Sequence, residues 1–337
     1  MKLFMVESPL QLINAIEAQR HFGVSPDQSL LLVLEGVSPL NQRQTLSLIR
    51  ESDWSEVKSI GSAQSLVSFL SARMFFHRWL HGRYESIDQV IIGDFRSRFM
   101  RHVANTLGQP VVLLDDGTAT LAVADRRRQN VTPDAKYERG WRRYLNKRRL
   151  FGYRDHDIPA LTFFSTFNFQ VPDQDRIVKH RYEALRRGMS VCKRQPVRYF
   201  IGCPLVEMGI VSESHYRGYL ERIAQDFKET ICYIPHRRED APRVRDLATC
   251  LNWQVKSFDK PIELVLLEKG ELPLGLIGLY STALDNAHTL FGEQLPIHSY
   301  EIPVEDILKS ERKVFTERVY TYYRQHYLSD HFQIVNL

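Results

Sequence analysis

The chain has 337 residues, which is long enough for two domains with ordinary hydrophobic cores. Hydrophobic residues make up 43% of the chain and charged residues 25%, as in a soluble globular protein. No apolar run approaches the roughly 20 residues that a membrane-spanning helix needs, and the first residues lack the long apolar centre of a secretion signal. These features argue against a membrane-spanning or secreted protein, and we expect a cytoplasmic one.

The cysteines and the charge distribution narrow the function classes further. The four cysteines include no Cys-x-x-Cys pair, so we expect reduced thiols and no zinc site. The net charge of +5 is modest, but residues 126–149 are rich in arginine and lysine mixed with tyrosine and tryptophan. Such a stretch suits an anionic surface, such as phospholipid head groups or a phosphorylated glycolipid. Nucleic acid is the competing partner, and a solvated insertion is the simplest alternative.

Predicted strands and helices alternate through residues 1–170. A strand covers residues 2–6, and Ser8 and Pro9 then begin a helix as its N-cap and first residue. Further strands are predicted at residues 30–34, near Val57, and at 89–92, 111–114 and 161–169. This alternation predicts a doubly wound α/β domain with helices on both faces of its sheet.

A second α/β series begins at residue 197. Its strands are predicted at residues 197–202, 231–234, near Val255 and at 276–280. Residues 171–196 are charged and are predicted to be a linker. Residues 304–337 form an amphipathic, aromatic and basic tail, which we expect to be helical and to pack back on the first domain. The sequence therefore predicts two doubly wound, Rossmann-like domains, residues 1–170 and 197–303, facing each other across a cleft.

The strand at residues 111–114 ends abruptly in Asp115-Asp116-Gly117-Thr118. Ligands of open α/β sheets bind beyond the carboxyl ends of the strands. Adjacent strand residues point in opposite directions, so at most one aspartate faces a given ligand while the other holds the turn. Gly117 allows a sharp bend, and Thr118 can cap the next helix. The alternative is an Asp-Gly turn before an ordinary helix.

A histidine and two arginines follow a buried strand in the second half of the chain. His236, Arg237 and Arg238 form a concentrated set of donors for a phosphate group. The arginines also favour a neutral imidazole, because nearby positive charge lowers the affinity of the ring for a proton. The alternative is a structural histidine.

Two further positions in the second half suit a nucleotide. Ser281 and Thr282 begin a helix directly after a strand, where hydroxyls, backbone N–H groups and the helix dipole converge on one anion. A plain N-cap is the alternative. Glu263 lies at a helix start, where it can accept both hydroxyls of a ribose or cap its own helix.

Several motifs that would indicate other enzyme classes are missing from the sequence. It has no glycine-rich dinucleotide fingerprint and no phosphate-binding loop that ends in Gly-Lys-Ser/Thr, which disfavours a dehydrogenase or an NTPase. It also has no Asp-x-Asp motif between apolar strand residues, so a metal-dependent sugar transfer lacks obvious ligands.

With these motifs the sequence resembles the bacterial sialyltransferases of the glycosyltransferase-B fold. It is most similar in style to the lipooligosaccharide sialyltransferases of glycosyltransferase family 52 and to related capsule and O-antigen enzymes. That family carries an acidic-acidic-Gly motif, a His-Pro motif, a ribose-binding Glu and a Ser/Ser or Ser/Thr motif. The matching residues here are Asp115-Asp116-Gly117, His236, Glu263 and Ser281-Thr282.

The N-terminal half carries two further similarities, and one motif departs from the family. Pro9-Leu10-Gln11 and Gly93-Asp94-Phe95-Arg96 also look like the family. His236, in contrast, is followed by Arg237 instead of proline, and the proline precedes it at position 235. The family motifs assign no role to the basic stretch at residues 126–149.

The resemblance implies an inverting transfer of sialic acid from CMP-sialic acid to a galactose hydroxyl of a bacterial surface glycan, a lipopolysaccharide, O-antigen or lipooligosaccharide. Asp116 would be the general base, with Asp115 as the alternative, and His236 would stabilise or protonate the departing CMP phosphate. The other donor-binding residues would be Gly202, Pro204, Arg237, Glu263, Ser281, Thr282 and Thr118. The acceptor-binding residues would be Gln11, Asp94 and Arg96.

The resemblance leaves the donor and the partners open. A similar site could serve another CMP-activated acid such as Kdo, a UDP-sugar, or a polysialyltransferase reaction. A basic nucleic-acid-binding protein is the non-enzyme alternative, resting on residues 126–149. We expect no metal or other cofactor, no nucleic-acid partner, a homodimer, and peripheral contact with the inner face of the cytoplasmic membrane through residues 126–149.

Overall fold

The computed structural model describes residues 1–35, 39–61, 66–131, 152–187 and 193–337. The chain divides into two compact units, Met1–Leu185 and Arg186–Leu337. Each unit is built on one parallel β-sheet. Both sheets confirm the predicted α/β fold class.

The sheet in the described part of the first unit has seven parallel strands in the order β3-β2-β1-β4-β5-β6-β7. The strands are β1 (Lys2–Val6), β2 (Ser29–Leu34), β3 (Glu56–Ile60), β4 (Gln89–Ile92), β5 (Val111–Leu114), β6 (Leu161–Ser165) and β7 (Arg176–Lys179). The helices are α1 (Pro9–His21), α2 (Pro39–Leu48), α3 (Leu66–Trp79), α4 (Arg98–Leu107) and α5 (Ala119–Arg128), with the short α6 (Glu183–Arg186) at the end of the unit.

The central strands of this sheet are almost entirely apolar because both faces of the sheet are covered. All six residues of β2 are buried. Leu30 and Leu32 belong to one buried hydrophobic cluster, whereas Leu31 and Val33 belong to the cluster on the other face. Continuous apolar strands of this kind are typical of parallel sheets between two helical layers.

The second unit repeats this plan over residues 193–337. Six parallel strands have the order β10-β9-β8-β11-β12-β13. They are β8 (Lys193–Ile201), β9 (Thr230–Ile234), β10 (Gln254–Val255), β11 (Glu271–Gly278), β12 (Ile297–Glu301) and β13 (Phe332–Asn336). The helices are α7 (Glu213–Asp226), α8 (Ala241–Cys250), α9 (Ile262–Lys269), α10 (Thr282–Phe291) and α11 (Ser310–His326).

Both strand orders have a switch point beside the first strand of the unit. In the first unit the chain winds from β1 to β2 and β3 on one side, and then returns to place β4 on the other side of β1. In the second unit β8 has β9 on one side and β11 on the other. Ligands of doubly wound sheets bind in the crevice at the carboxyl ends of the strands at such a point.

The structure corrects the predicted linker and tail. Within the predicted linker, strand β7 pairs with β6, and the Glu17 carboxylate accepts the N–H of Ala184 at 2.8 Å, so this segment belongs largely to the first unit. The predicted tail belongs to the second unit: β13 pairs with β12, and the Tyr320 hydroxyl of α11 donates to the Tyr300 carbonyl at 2.7 Å. The tail is therefore part of the core of the second unit.

The structure also limits the predicted role of the basic stretch. Residues 132–149 lie outside the described residues. Arg127 is described and is buried, and its guanidinium binds both carboxylate oxygens of Asp175 at 2.5 and 2.7 Å, with Asp157 at 2.9 Å. This arginine stabilises the fold and is not available to an anionic surface.

Two remaining findings concern the membrane and cysteine predictions. No helix in the described ranges is long and apolar enough to cross a membrane. Cys203, Cys232 and Cys250 are free thiols, and Cys192 lies outside the described residues.

Candidate active site

The carboxyl ends of β1, β4 and β5 bring together the predicted acceptor-binding residues of the first unit. Gln11 Nε2 donates to Asp116 Oδ1 at 3.0 Å. Arg96 Nε lies 2.9 Å from Asp94 Oδ1, and the same guanidinium also forms an ion pair with Asp116. These four side chains and Glu7, which directly follows β1, form one polar cluster, which we call the carboxylate cluster.

Gln11 is fixed in this cluster by the first turn of α1. Ser8 is the N-cap of the helix, and its hydroxyl accepts the N–H of Gln11 at 3.3 Å. Gln11 Oε1 accepts the N–H of Glu7 at 2.8 Å, so the amide links the end of β1 to Asp116. A Cβ at Gly93 would lie 2.7 Å from Gln11 Cδ, so only glycine leaves room for this amide.

The two motif aspartates have different surroundings, as strand alternation predicts. Asp115 is 2% exposed, and its Oδ2 accepts the Thr166 N–H at 2.7 Å and the Thr166 hydroxyl at 3.2 Å. Burial raises the pKa of Asp115 to about 6, against the opposing effect of its hydrogen bonds. The Asp116 side chain is 21% exposed. Asp115 therefore joins β5 to the end of β6, and Asp116 is the aspartate that a ligand can reach.

The turn after these aspartates differs from its prediction in one respect. Gly117 has φ +63°, the left-handed conformation that favours glycine. Thr118 is the N-cap residue of α5 by position, but its side chain makes no capping hydrogen bond. Instead the hydroxyl of Thr120, two residues further on, accepts the N–H of Asp116 at 3.0 Å. The predicted capping role of Thr118 is therefore wrong.

Sequence reasoning missed Glu7, which directly follows β1 in this cluster. The pKa of Glu7 is raised to about 7, mainly by burial; the carboxylates of Asp94 and Asp116 contribute to the rise, and Arg96 opposes it. A carboxylate with this pKa is partly protonated at neutral pH, unlike an exposed glutamate. Its position directly after a predicted strand, like that of Asp115, was the signal that could have identified it.

In the second unit the His236 loop follows β9. His236 Nδ1 accepts the N–H of Arg238 at 3.1 Å, which assigns the ring hydrogen to Nε2. The pKa of His236 is lowered to about 4, mainly by burial; Arg237 and Arg238 contribute to the lowering, and Glu207 opposes it. Burial thus favours the neutral imidazole more strongly than the two arginines, which were the predicted cause. The Nε2–H of this ring can donate a hydrogen bond to a ligand.

A buried carboxylate that sequence reasoning missed holds this loop. The Glu239 side chain is fully buried, and its Oε2 accepts the N–H of His236 at 2.7 Å. Its Oε1 accepts the hydroxyls of Tyr233 at 2.6 Å and Tyr216 at 3.2 Å. A Cβ at Gly202 would overlap Glu239 Oε2 and would lie 3.0 Å from the His236 nitrogen. Because Gly202 has no side chain, the Glu239 carboxylate and the His236 backbone can pack against it.

The other predicted donor residues lie around the start of α10 and at the end of β8. Ser281 is the N-cap of α10, and its hydroxyl accepts the N–H of Ala283 at 3.2 Å, so the plain capping role is observed. Thr282 is the first residue of the helix and is partly exposed. Pro204 is buried in the turn after β8 and accepts the N–H of Met208 at 3.0 Å.

Glu263 lies in the first turn of α9 and is buried. Asn286 Nδ2 of α10 donates to Glu263 Oε1 at 2.8 Å. Burial raises the pKa of Glu263, although this hydrogen bond opposes the rise. The glutamate therefore joins the first turn of α9 to the middle of α10.

Arg312 is a further cation of the second unit that sequence reasoning missed. Burial raises the pKa of the Cys203 thiol and of the Tyr280 hydroxyl, and the positive charge of Arg312 opposes the rise at both. Cys203 follows β8 and Tyr280 follows β11, so Arg312 lies near the switch point of the second sheet. The carboxyl-end edges of the two sheets differ in the groups that they expose. The first carries Asp94 and Asp116 around Arg96. The second carries the exposed Arg237 and Arg238, while its Glu239 and Glu263 carboxylates are buried and Glu207 is paired with Arg243. In the described ranges, no group of three or more His, Cys, Asp or Glu side chains is placed to hold a metal ion.

Comparisons with known proteins address the fold. The sequence matches no family model and no curated protein. The spinosyn forosaminyltransferase SpnP is 14% identical, with a TM-score of 0.50 over 100% of this chain and 86% of that chain. The UDP-GlcNAc 2-epimerase of Methanocaldococcus jannaschii is 12% identical, with a TM-score of 0.51 over 100% of this chain and 89% of that chain. The chain has the glycosyltransferase-B fold.

A third solved structure supports the same conclusion about the fold. UGT73P12 of Glycyrrhiza uralensis, complexed with glycyrrhetinic acid 3-O-monoglucuronide, is 11% identical, with a TM-score of 0.50 over 99% of this chain and 81% of that chain. At these identities the likeness concerns the fold alone. The chemistry of this chain has to be argued from its own residues.

Proposed function

We propose that the protein is an inverting glycosyltransferase that moves sialic acid from CMP-sialic acid to a galactose hydroxyl of a bacterial surface glycan. The observation that carries the proposal is the chemical contrast between the two switch points. The first offers carboxylates, which suit an acceptor hydroxyl, and the second offers donors and cations, which suit a phosphate. The choice of sialic acid rests on the resemblance of the sequence motifs to bacterial sialyltransferases.

The donor phosphate binds at the edge of the second sheet in this proposal. The Nε2–H of His236, the Arg237 and Arg312 guanidinium groups and the N–H groups at the start of α10 donate to it. Ser281 and Thr282 lie at that helix start. These groups stabilise the negative charge that develops on the phosphate as CMP leaves. The protein itself thus supplies the neutralising charge, and the proposal includes no metal.

The nucleoside binds beside the phosphate. Glu263 accepts the ribose hydroxyls, and the Asn286 amide orients its carboxylate. Backbone groups in the turn near Gly202 and Pro204 hold the cytosine ring.

The acceptor binds at the carboxylate cluster of the first unit. Gln11, Asp94 and Arg96 hold the galactose, and Asp116 is the general base that takes the proton of the attacking hydroxyl. Asp116 takes this role because it is partly exposed, whereas Asp115 is buried against Thr166. Thr118 contacts the sialic acid carboxylate. We also propose that the protein forms a homodimer. Residues 126–149, except the buried Arg127, would contact an anionic membrane.

Nucleotide binding separates this donor from its rivals. Isothermal titration of the full chain with CMP, UDP and GDP should give the tightest binding for CMP. Arg312→Ala and His236→Ala should each weaken CMP binding, and an exposed control, Arg222→Ala on α7, should leave it unchanged. Preferential binding of UDP would exclude a CMP-activated donor and would favour a UDP-sugar reaction. If the protein binds CMP but transfers a sugar only from CMP-Kdo, the proposed nucleotide site would stand and the donor sugar would be Kdo instead of sialic acid.

A further inference from the structure

Helix α3 of the first unit carries apolar side chains on two opposite faces. Ala72 and Phe76, one turn apart, are buried in the hydrophobic cluster on one face of the sheet. Val67 and Met74, two turns apart, lie on the opposite face of the helix and are 74% and 73% exposed. A helix on the surface of a globular protein carries polar residues on the face that meets water. The outer face of α3 is therefore suited to a binding partner.

The exposed apolar residues of α3 form one patch. Phe75, next to Met74, is 37% exposed, and Leu70, one turn before Met74, is half-buried. With Val67, one turn before Leu70, these residues form a contiguous apolar surface, which we call the α3 patch. A contiguous apolar patch on a soluble protein indicates a surface that binds a protein or a membrane.

Positive charge borders the α3 patch. Residues 57–84 contain no Asp or Glu. Arg78, one turn after Met74, is exposed, and its guanidinium forms no ion pair in the described part of the chain. Helix α4 packs against α3, with the rings of Phe76 and Phe99 6.2 Å apart, and it contains no Asp or Glu either. The patch is therefore complementary to a surface that is both apolar and anionic.

A second copy of this chain fits the α3 patch less well than a lipid surface. A two-fold interface brings the same patch of both copies together. Arg78 would then face a patch that offers no carboxylate, and its charge would be buried without a partner. An anionic bilayer matches both features, because apolar side chains enter the acyl boundary while the guanidinium stays among the lipid phosphates.

We propose that the α3 patch binds the surface of an anionic lipid bilayer, with Val67, Met74 and Phe75 in the acyl boundary and Arg78 at the phosphates. Because α3 follows strand β3 of a parallel sheet, its first turn lies at the edge that carries the carboxylate cluster. The α3 patch is a second lipid-binding surface beside the one proposed at residues 126–149. Its binding does not depend on the proposed sugar transfer.

Vesicle sedimentation of the full chain tests the apolar part of this contact. The native protein should bind vesicles of phosphatidylglycerol and phosphatidylethanolamine, and should bind pure phosphatidylcholine vesicles at least about tenfold more weakly. The double variant Met74→Ser/Phe75→Ser should bind the anionic vesicles at least about tenfold more weakly than the native protein. Leu46→Ser is the matched control, because Leu46 is exposed on α2, which packs on the other face of the sheet. This control should bind like the native protein.

The electrostatic part of the contact is tested by removing one cation. Arg78→Ala should lower the affinity for the anionic vesicles by about fivefold at physiological ionic strength. Its binding should also depend less on salt concentration than that of the native protein. Arg50→Ala, an exposed arginine of the first unit outside the patch, should leave the affinity and the salt dependence unchanged.

Tryptophan fluorescence shows which residues enter the bilayer. Phe75→Trp should gain a blue-shifted emission on anionic vesicles, relative to the native protein, and brominated lipids should quench it. Leu46→Trp should show neither change. Equal quenching of the two variants would overturn the proposed insertion of α3.

The remaining outcomes distinguish the possible occupants of the patch. Lipid binding that persists in Met74→Ser/Phe75→Ser and in Arg78→Ala would assign the contact to another surface, such as residues 126–149. Failure of the native protein to bind anionic vesicles would overturn the inference and favour an acidic protein partner. A dimer in sedimentation velocity that Met74→Ser/Phe75→Ser converts to monomers, with lipid binding unchanged, would make the patch a contact between copies. None of these measurements uses a sugar donor, so failure of the proposed transfer would leave the inference standing.

Discussion

Gly202→Ala probes the packing that positions the His236 loop. A Cβ at this position would lie 2.8 Å from Tyr233 Cε1 and 3.0 Å from the His236 nitrogen, and it would overlap Glu239 Oε2. None of these atoms is the free end of a flexible side chain, because the Glu239 carboxylate is held by hydrogen bonds from Tyr233 and His236. The variant therefore has to move the loop or break one of these bonds.

The cost of this variant follows from two effects. Adding a methyl group to a packed site costs about 1–3 kcal/mol. Losing the hydrogen bond from the His236 N–H to a buried carboxylate costs about 1–3 kcal/mol more. We expect the free energy of unfolding of the second unit to fall by about 2–6 kcal/mol. Gly218→Ala is the matched control, because a Cβ at Gly218 in α7 meets no atom within 4 Å, and alanine favours a helix by up to about 1 kcal/mol.

Urea unfolding measured by tryptophan fluorescence checks the prediction. Trp253 reports on this region, since its ring lies 5.5 Å from that of Phe200 on β8. The midpoint urea concentration should fall for Gly202→Ala and stay level or rise for Gly218→Ala. CMP affinity should fall at least tenfold in the first variant only. A Gly202→Ala protein with native stability and native CMP affinity would refute the argument that the His236 loop depends on this contact.

Three further predictions concern the first unit. The folded-state pKa of Glu7 is raised from 4.5 to about 7, so ionisation of Glu7 destabilises the fold progressively over that pH range. Above pH 7 the loss of stability reaches up to about 3 kcal/mol. Glu7→Gln should be more stable than the native protein by that amount above pH 7, and denaturation curves should show no difference between the two proteins below pH 4.5. Gly93→Ala should displace the Gln11 amide and lower transfer at least tenfold with little change in CMP affinity. Arg127→Leu should destabilise the protein by about 3–5 kcal/mol, because it leaves Asp175 buried without its partner; a melting temperature within 2 °C of native would contradict this.

The sequence predicts the central strands well, since their continuous apolar runs have few other interpretations. The strands that it missed are β7, β12 and β13. Two of these, β7 and β13, lie at sheet edges, and all three contain polar or charged residues that a partly exposed strand tolerates. Such short segments become strands because a neighbouring strand offers hydrogen bonds, and that neighbour is distant in sequence. The same limit explains why residues 304–337 were predicted to be a separate tail.

In the candidate site, too, the sequence predicts residues from their local position along the chain but not contacts between residues that are distant in sequence. Asp116 and His236 could be proposed from sequence because each directly follows a buried strand. The roles of Glu239 and Arg312 could not, because each depends on a partner brought close by folding. Glu7 also follows a strand, but only the approach of Asp94 and Asp116 distinguishes it from an ordinary surface glutamate.

Acceptor-dependent release of CMP is the most direct test of the proposed transfer. The full chain would be incubated with CMP-sialic acid and a panel of galactosides, with CMP measured by chromatography and the new linkage determined by NMR. We predict CMP release that requires a galactoside, a product of inverted anomeric configuration, and loss of both in Asp116→Asn. Release that does not depend on any acceptor, or transfer from a UDP-sugar in place of CMP-sialic acid, would contradict the proposal.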